Sequence, residues 1–151
     1  MAAAQDTHRV HAPLSTAALD LLDTAQRGLA EAATSATPAE RYAAAHLAAL
    51  RAAAAVLAAR ARPASSSRRR LRSAWELLLQ VAPELGEWAA FFAAGATKRA
   101  AAEAGLERVV SERDADDLLR DATTFLSLVE TTLGLVHQPM LPVSSRLRVV
   151  R

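Results

Sequence analysis

Leu19, Leu22 and Leu29, with Ala18 and Ala25 between them, recur at helical spacing and predict a first helix from its N-cap Ser15 to about Ala33. Residues 33–37 close a turn, and Thr37-Pro38-Ala39-Glu40 then opens a long helix running to Arg60. Thr37 is its N-cap, Pro38 falls where a missing N–H costs nothing, and Glu40 completes a Ser/Thr-x-x-Glu capping box. On a 100° helical projection Ala43, Leu47, Leu50, Ala54 and Leu57 form one narrow apolar arc. Arg41 falls opposite Leu50 on the solvent side, and His46 falls on the flank of the arc beside the core. The small Ala side chains of this segment allow close approach by neighbours, so it is expected to be the central helix of a bundle.

Pro63 stops that helix, and residues 61–72 read as a linker. Ser73-Ala-Trp-Glu76 is a second capping box, predicting a short helix from Trp75 to Ala82. Pro83 ends or kinks it, and a further helix is expected from Glu84 to about Ala104, with Leu85, Trp88, Ala89, Phe92 and Ala96 on one stripe. Trp88, Phe91 and Phe92 read as an aromatic wedge in the core. Gly95 marks close helix–helix approach, and Gly105 is a natural stop. Ser111 caps the last helix, in which Leu118, Ala122, Phe125, Val129 and Thr132 form a stripe that Leu119, Leu126 and Leu133 widen before Gly134. Residues 1–14 read as a flexible arm and 135–151 as a basic, Pro-containing tail around one domain at 15–134. The expected class is all-α, a bundle of four to five helices.

Composition agrees with that class. Apolar residues make up 52% of the 151, yet aromatics only 4%, so Ala supplies much of the core and each of Trp75, Trp88, Phe91, Phe92 and Phe125 is expected to matter. The absence of Cys excludes disulfides and thiolate-bound metals. The N-terminus shows no basic segment ahead of an apolar run, and Arg51 interrupts the longest apolar window, so neither a secretory signal nor a membrane span is expected and the cytoplasm is the expected location. Basic residues that are nearly all Arg, together with the Ala content, associate the sequence with a GC-rich bacterial genome.

Charge changes the picture further. The net charge is +2, but residues 1–72 carry ten Arg against five acids, whereas residues 73–151 carry eight Lys and Arg against eleven acids. Arg60, Arg62, Arg68, Arg69, Arg70 and Arg72 cluster around the linker. Such a run is either a solvated connection or a loop that grips a nucleic-acid backbone without reading its sequence. No aromatic lies inside it to stack a base.

No catalytic or metal constellation stands out. His46 has no acid or second His at ligand spacing, so no metal or other cofactor is expected. Asp114, Asp116, Asp117 and Asp121 read as a solvated helix face whose first turns complement the helix dipole. The remaining pair is Arg41 and His46, about 140° apart on their helix, able to converge only through the length of the Arg side chain. In RNA cleavage such a His would move the 2′-OH proton and such an Arg would stabilise the charged phosphorane.

The run Glu40-Arg-Tyr-Ala-Ala-Ala-His46-Leu-Ala-Ala-Leu50-Arg51-Ala-Ala-Ala-Ala-Val-Leu57 resembles the second helix of HEPN domains. Arg72–Leu78, Ala82–Ala93 and Ala115–Leu126 resemble segments of a small HEPN-like family of high-GC actinobacteria. The resemblance spans about residues 15–134. It implies a four- or five-helix bundle, often a homodimer, with nucleotide or RNA binding and, in some members, metal-independent RNA cleavage. The nuclease signature of the superfamily is Arg, four to six residues, then His, a spacing that Arg41 and His46 satisfy. Nuclease members carry it near the last helix, commonly with a polar residue after the Arg; here it lies on the second helix and Tyr42 follows. The expectation is therefore a module binding RNA or a nucleotide without catalysis, with Arg41, His46 and Arg51 bordering a cleft and Arg68, Arg69, Arg70 and Arg72 adding phosphate contacts. The alternatives are a toxin- or defence-type ribonuclease using Arg41 and His46, and an adaptor that docks a partner protein.

Overall fold

A computed structural model describes residues 14–60 and 73–135. Among the described residues five α-helices follow one another: α1 Thr16–Ala33, α2 Pro38–Arg60, α3 Ala74–Val81, α4 Gly86–Glu103 and α5 Glu112–Thr132. Short 3-10 turns at Pro83–Leu85 and Glu107–Val109 precede α4 and α5. The linker, with the arginines at 62, 68, 69, 70 and 72, lies outside the described residues, as do arm residues 1–13 and tail residues 136–151.

The helix ends obey the local chemistry of the sequence. The Ser15, Thr37, Ser73 and Ser111 hydroxyls each accept a backbone N–H three residues on. At Ser111 the box is reciprocal, because Asp114 also accepts the Ser111 N–H. Both α4 and α5 end at a glycine with positive φ, Gly105 at 80° and Gly134 at 78°. Paired bonds from Gly105 and Leu106 to the carbonyls of Ala102 and Ala101, and from Gly134 and Leu135 to those of Thr131 and Glu130, satisfy the last carbonyls.

Helix α2 is the centre: α1, α3, α4 and α5 all pack on it. This overturns the narrow apolar arc. Ala43, Leu47, Leu50, Ala54 and Leu57 are only half-buried, while Ala45, Ala49, Ala52, Ala53, Ala55 and Val56 are essentially inaccessible. A helix enclosed on several sides has no single apolar stripe, and its closest contacts select Ala because the axes approach too near for Leu. Gly28 of α1 shows the same effect: a Cβ there would stand 3.4 Å from the Ala48 Cβ. The 23-residue α2 is also long and apolar enough to cross a membrane, with a mean hydropathy of 1.5 over its best window, contrary to expectation. Half of that window is buried inside the bundle, as in a core helix.

The aromatic core is smaller than the sequence suggests. Phe92 and Phe125 are fully buried and Trp75 nearly so, with Phe92 stacked on Trp75 at 5.1 Å. Trp88 is half-buried, and Phe91 points outward, 47% exposed. Leu19 is likewise 45% exposed although it falls in the stripe of α1. At the domain margins, Leu14 and Leu135 pack against the core.

Candidate functional site

Arg41 lies near the start of α2, beside the acidic first turns of α5. Its Nη1 donates to Glu112 Oε2 at 2.9 Å and to Asp116 Oδ1 at 2.8 Å, and Nη2 reaches the Ser35 carbonyl at 3.5 Å. The hydrogen bond to Glu112, aided by the charge of Asp116, raises the guanidinium pKa further above its already high value. The side chain is 16% exposed, so it does not stand free on the solvent side. Its hydrogen bonds tie α2 to α5, and a phosphate would have to displace two carboxylates to take them.

His46 faces inward instead. It is 1% exposed, and its Nε2 lies 2.8 Å from the Phe92 carbonyl of α4. A carbonyl only accepts, so Nε2 carries the proton, and Nδ1 is buried with no partner among the described residues. Trp75 and Phe92 meet the ring edge-on at 6.0 and 5.9 Å, and Tyr42 stacks at 6.5 Å. Burial is the main cause of a pKa below 6.5, opposed by the Phe92 carbonyl and assisted by Arg99. The ring is therefore neutral at pH 7, and it pins α2 to α4. Gly95 makes this contact feasible, since a Cβ there would come within 3.0 Å of Tyr42 Oη and 3.5 Å of His46 Cδ2. Arg41 is thus engaged with α5 and His46 with α4, and their polar atoms have no partner in common.

Arg51 is half-buried on α2 and makes no hydrogen bond or ion pair among the described residues. It lies at the α1–α2 seam, with Nη1 3.7 Å from where a Gly28 Cβ would be. The sequence reading also missed the buried Glu130, whose Oε1 accepts from Gln26 Nε2 at 2.6 Å across α1 and α5. An acid on the stripe side of α5 carries no local signal of that partner.

An open groove lies between α2, α4 and α5. Tyr42, Phe91, Lys98, Asp114, Asp117, Leu118 and Asp121 line a space of about 270 Å³. An adjoining hollow of about 310 Å³ is shared by Tyr42, Phe91, Lys98 and Leu118 and extends over Ala94 and Gly95. Lys98 Nζ donates to Asp114 Oδ2 at 3.1 Å and stands 5.9 Å from the Tyr42 ring centroid. The Ser111 N–H, then Lys98, hold the Asp114 carboxyl below its usual range. Asp121 is shifted the other way, chiefly by burial and then by the charge of Asp117. Tyr42 is raised by burial, so its hydroxyl stays protonated. Nothing local in the sequence signals this groove; it arises from the register of α5 against α2 and α4. Among the described residues no three His, Asp or Glu side chains are grouped to hold a metal ion.

A central Ala-rich helix on which four others pack defines an all-α bundle. The model of the SAV_6107-like HEPN family matches residues 32–130, more than half of the chain, and the protein belongs to that family. No curated protein matches the chain, and neither does any solved structure.

Proposed function

We propose that this HEPN protein is a binding module for RNA or a nucleotide and does not cleave its ligand. The observation that carries the reading is the interior position of His46. A general acid or base must come within hydrogen-bond reach of the proton it moves, and His46 is 1% exposed with Nε2 engaged by the Phe92 carbonyl. Arg41, engaged by Glu112 and Asp116, favours the same reading. Phosphate contacts are assigned to Arg51, which carries no counter-ion among the described residues, and to Arg68, Arg69, Arg70 and Arg72 in the basic half of the chain. Arg forks suit phosphate oxygens, and binding through them does not depend on sequence.

The test is equilibrium binding of a short labelled RNA in EDTA over a salt series. Affinity should fall steeply with salt, and replacing the four linker arginines with Ala should flatten the logarithmic salt slope by up to about 3, at roughly 0.7 per lost phosphate contact. Salt-insensitive binding, or binding unchanged in the quadruple variant, would remove the nucleic-acid assignment. Metal-free cleavage by the wild type that disappears in a folded Arg41→Gln protein would replace it with the ribonuclease reading.

A further inference from the structure

The seam between α4 and α5 leaves an apolar surface open. Phe91 is 47% exposed, yet it is braced edge-on against Phe92 at 5.1 Å, so its outward position is supported from beneath. Leu118, Ala94 and Gly95 continue the hollow around it. Leu128, two turns beyond Asp121 on the same face of α5, is exposed as well. The α5 wall of the hollow adds carboxylates. Asp114 is taken by Lys98, and Asp117 is met on the rim by Arg120 and Arg113. Asp121 is half-buried and makes no hydrogen bond or ion pair among the described residues.

One segment of this chain matches that surface in both charge and apolar pattern. Residues 136–151 hold Arg146, Arg148 and Arg151 and no acid, whereas residues 73–135 hold five Lys and Arg against eleven acids. Arg146-Leu147-Arg148-Val149 alternates basic with apolar, which in an extended chain sets the two kinds on opposite sides. The described residues contain no strand whose edge could pair with such a segment. Its apolar side therefore needs a surface of another kind. Reach is sufficient: the eleven residues from Leu135 to Arg146 span up to about 36 Å, and Asp121 lies only about 17 Å along the axis from the end of α5. The spacing also agrees. Arg146 and Arg148 would stand about 6.6 Å apart along an extended chain, and Asp117 and Asp121 about 6 Å apart along their helix.

We propose that residues 146–151 of this chain dock in the groove between α4 and α5, running back along α5. Leu147 and Val149 lie against Phe91 and Leu118, Arg146 meets Asp121, and Arg148 meets Asp117. The tether makes modest contacts sufficient, because a short linker holds the segment at an effective concentration of about 1 mM or more. The assignment goes beyond the RNA reading and uses none of the arginines given phosphate contacts there.

The chain contains no Cys, so a nitroxide on Ser145→Cys marks one place in the full-length protein. The amide signals of Phe91, Ala94, Leu118 and Asp121 should be broadened strongly, and those of Asp23 and Arg27 on α1 should stay sharp. Salt on the order of 1 M, where screening acts beyond about 3 Å, should restore most of the lost intensity. Asp121→Asn should restore part of it, and so should Arg146→Gln with Arg148→Gln. Asp121 is only half-buried, so its variant should keep the wild-type melting temperature, which separates a released segment from a lost fold. Sharp groove signals in the labelled wild type would overturn the proposal, as would broadening that neither salt nor Asp121→Asn reduces. Equal broadening when the nitroxide and the observed isotope sit on different molecules would overturn it too, by making a second copy's segment the occupant.

Discussion

A histidine whose one ring nitrogen is bound to a carbonyl and whose other is buried without a partner among the described residues makes stability depend on pH. The folded pKa of His46 lies below its ordinary 6.5, and the charged groups acting on it are Arg99, which lowers it, and Glu103, which raises it. Below about 6.5 the unfolded chain binds a proton that the folded chain resists, so stability should be lost as pH falls through that window and be constant above it. Urea unfolding between about pH 7 and 5.5 should show a loss of about 1 kcal/mol. In a folded His46→Gln protein, whose amide can still donate to Phe92, the slope should flatten. A flat wild-type profile would mean that the ring accepts its proton inside the bundle. At this scale the sequence was partly legible. The Arg41–His46 spacing could be read, whereas the burial of His46 could not, because a flank position on one helix does not say which neighbour will cover it.

Among the elements, α5 is held by its first turn more firmly than its composition suggests. Ser111 and Asp114 cap each other, and Asp114 also receives Lys98, joining α5 to α4. Ser111→Ala should therefore cost about 1–2 kcal/mol, at the upper end for a cap, read as a shift in the urea midpoint with unchanged slope. A cost below about 0.5 kcal/mol would show that Lys98 and Arg41 hold the helix start without the box. Helix starts and stops were legible because a cap is a contact between residues three apart in the chain. The acids that follow were read as complements to the helix dipole. Glu112, Asp114 and Asp116 also meet Arg41 and Lys98, residues brought to them only by packing.

Across the whole molecule, a core built largely from Ala makes its few large side chains unequal. Phe92 is fully buried and within 6.0 Å, ring centre to ring centre, of Trp75, Trp88, Phe91, Phe125 and His46. Phe91 beside it is nearly half exposed. Phe92→Ala should cost about 3–5 kcal/mol, or unfold the chain outright, whereas Phe91→Ala should cost about 1 kcal/mol or less. Similar costs for the two would place Phe91 in a buried interface in solution. The sequence treats the two phenylalanines alike, and one step of 100° around α4 separates core from groove.

What the sequence determined by itself was the set of helices and their ends, because these depend on neighbours within four residues: Ser15, Thr37, Ser73 and Ser111 at the starts, Gly105 and Gly134 at the stops. Only the tertiary structure decided which face of α2 is deepest, that His46 is an interior pin, that Arg41 is bound by two acids, and that Tyr42, Phe91 and Asp121 share a groove. The physical reason lies in α2. When a helix is apolar almost all the way round and enclosed by four others, its periodicity no longer selects a face, and the distance between helix axes chooses instead, putting Ala at the contacts and Leu at the edges.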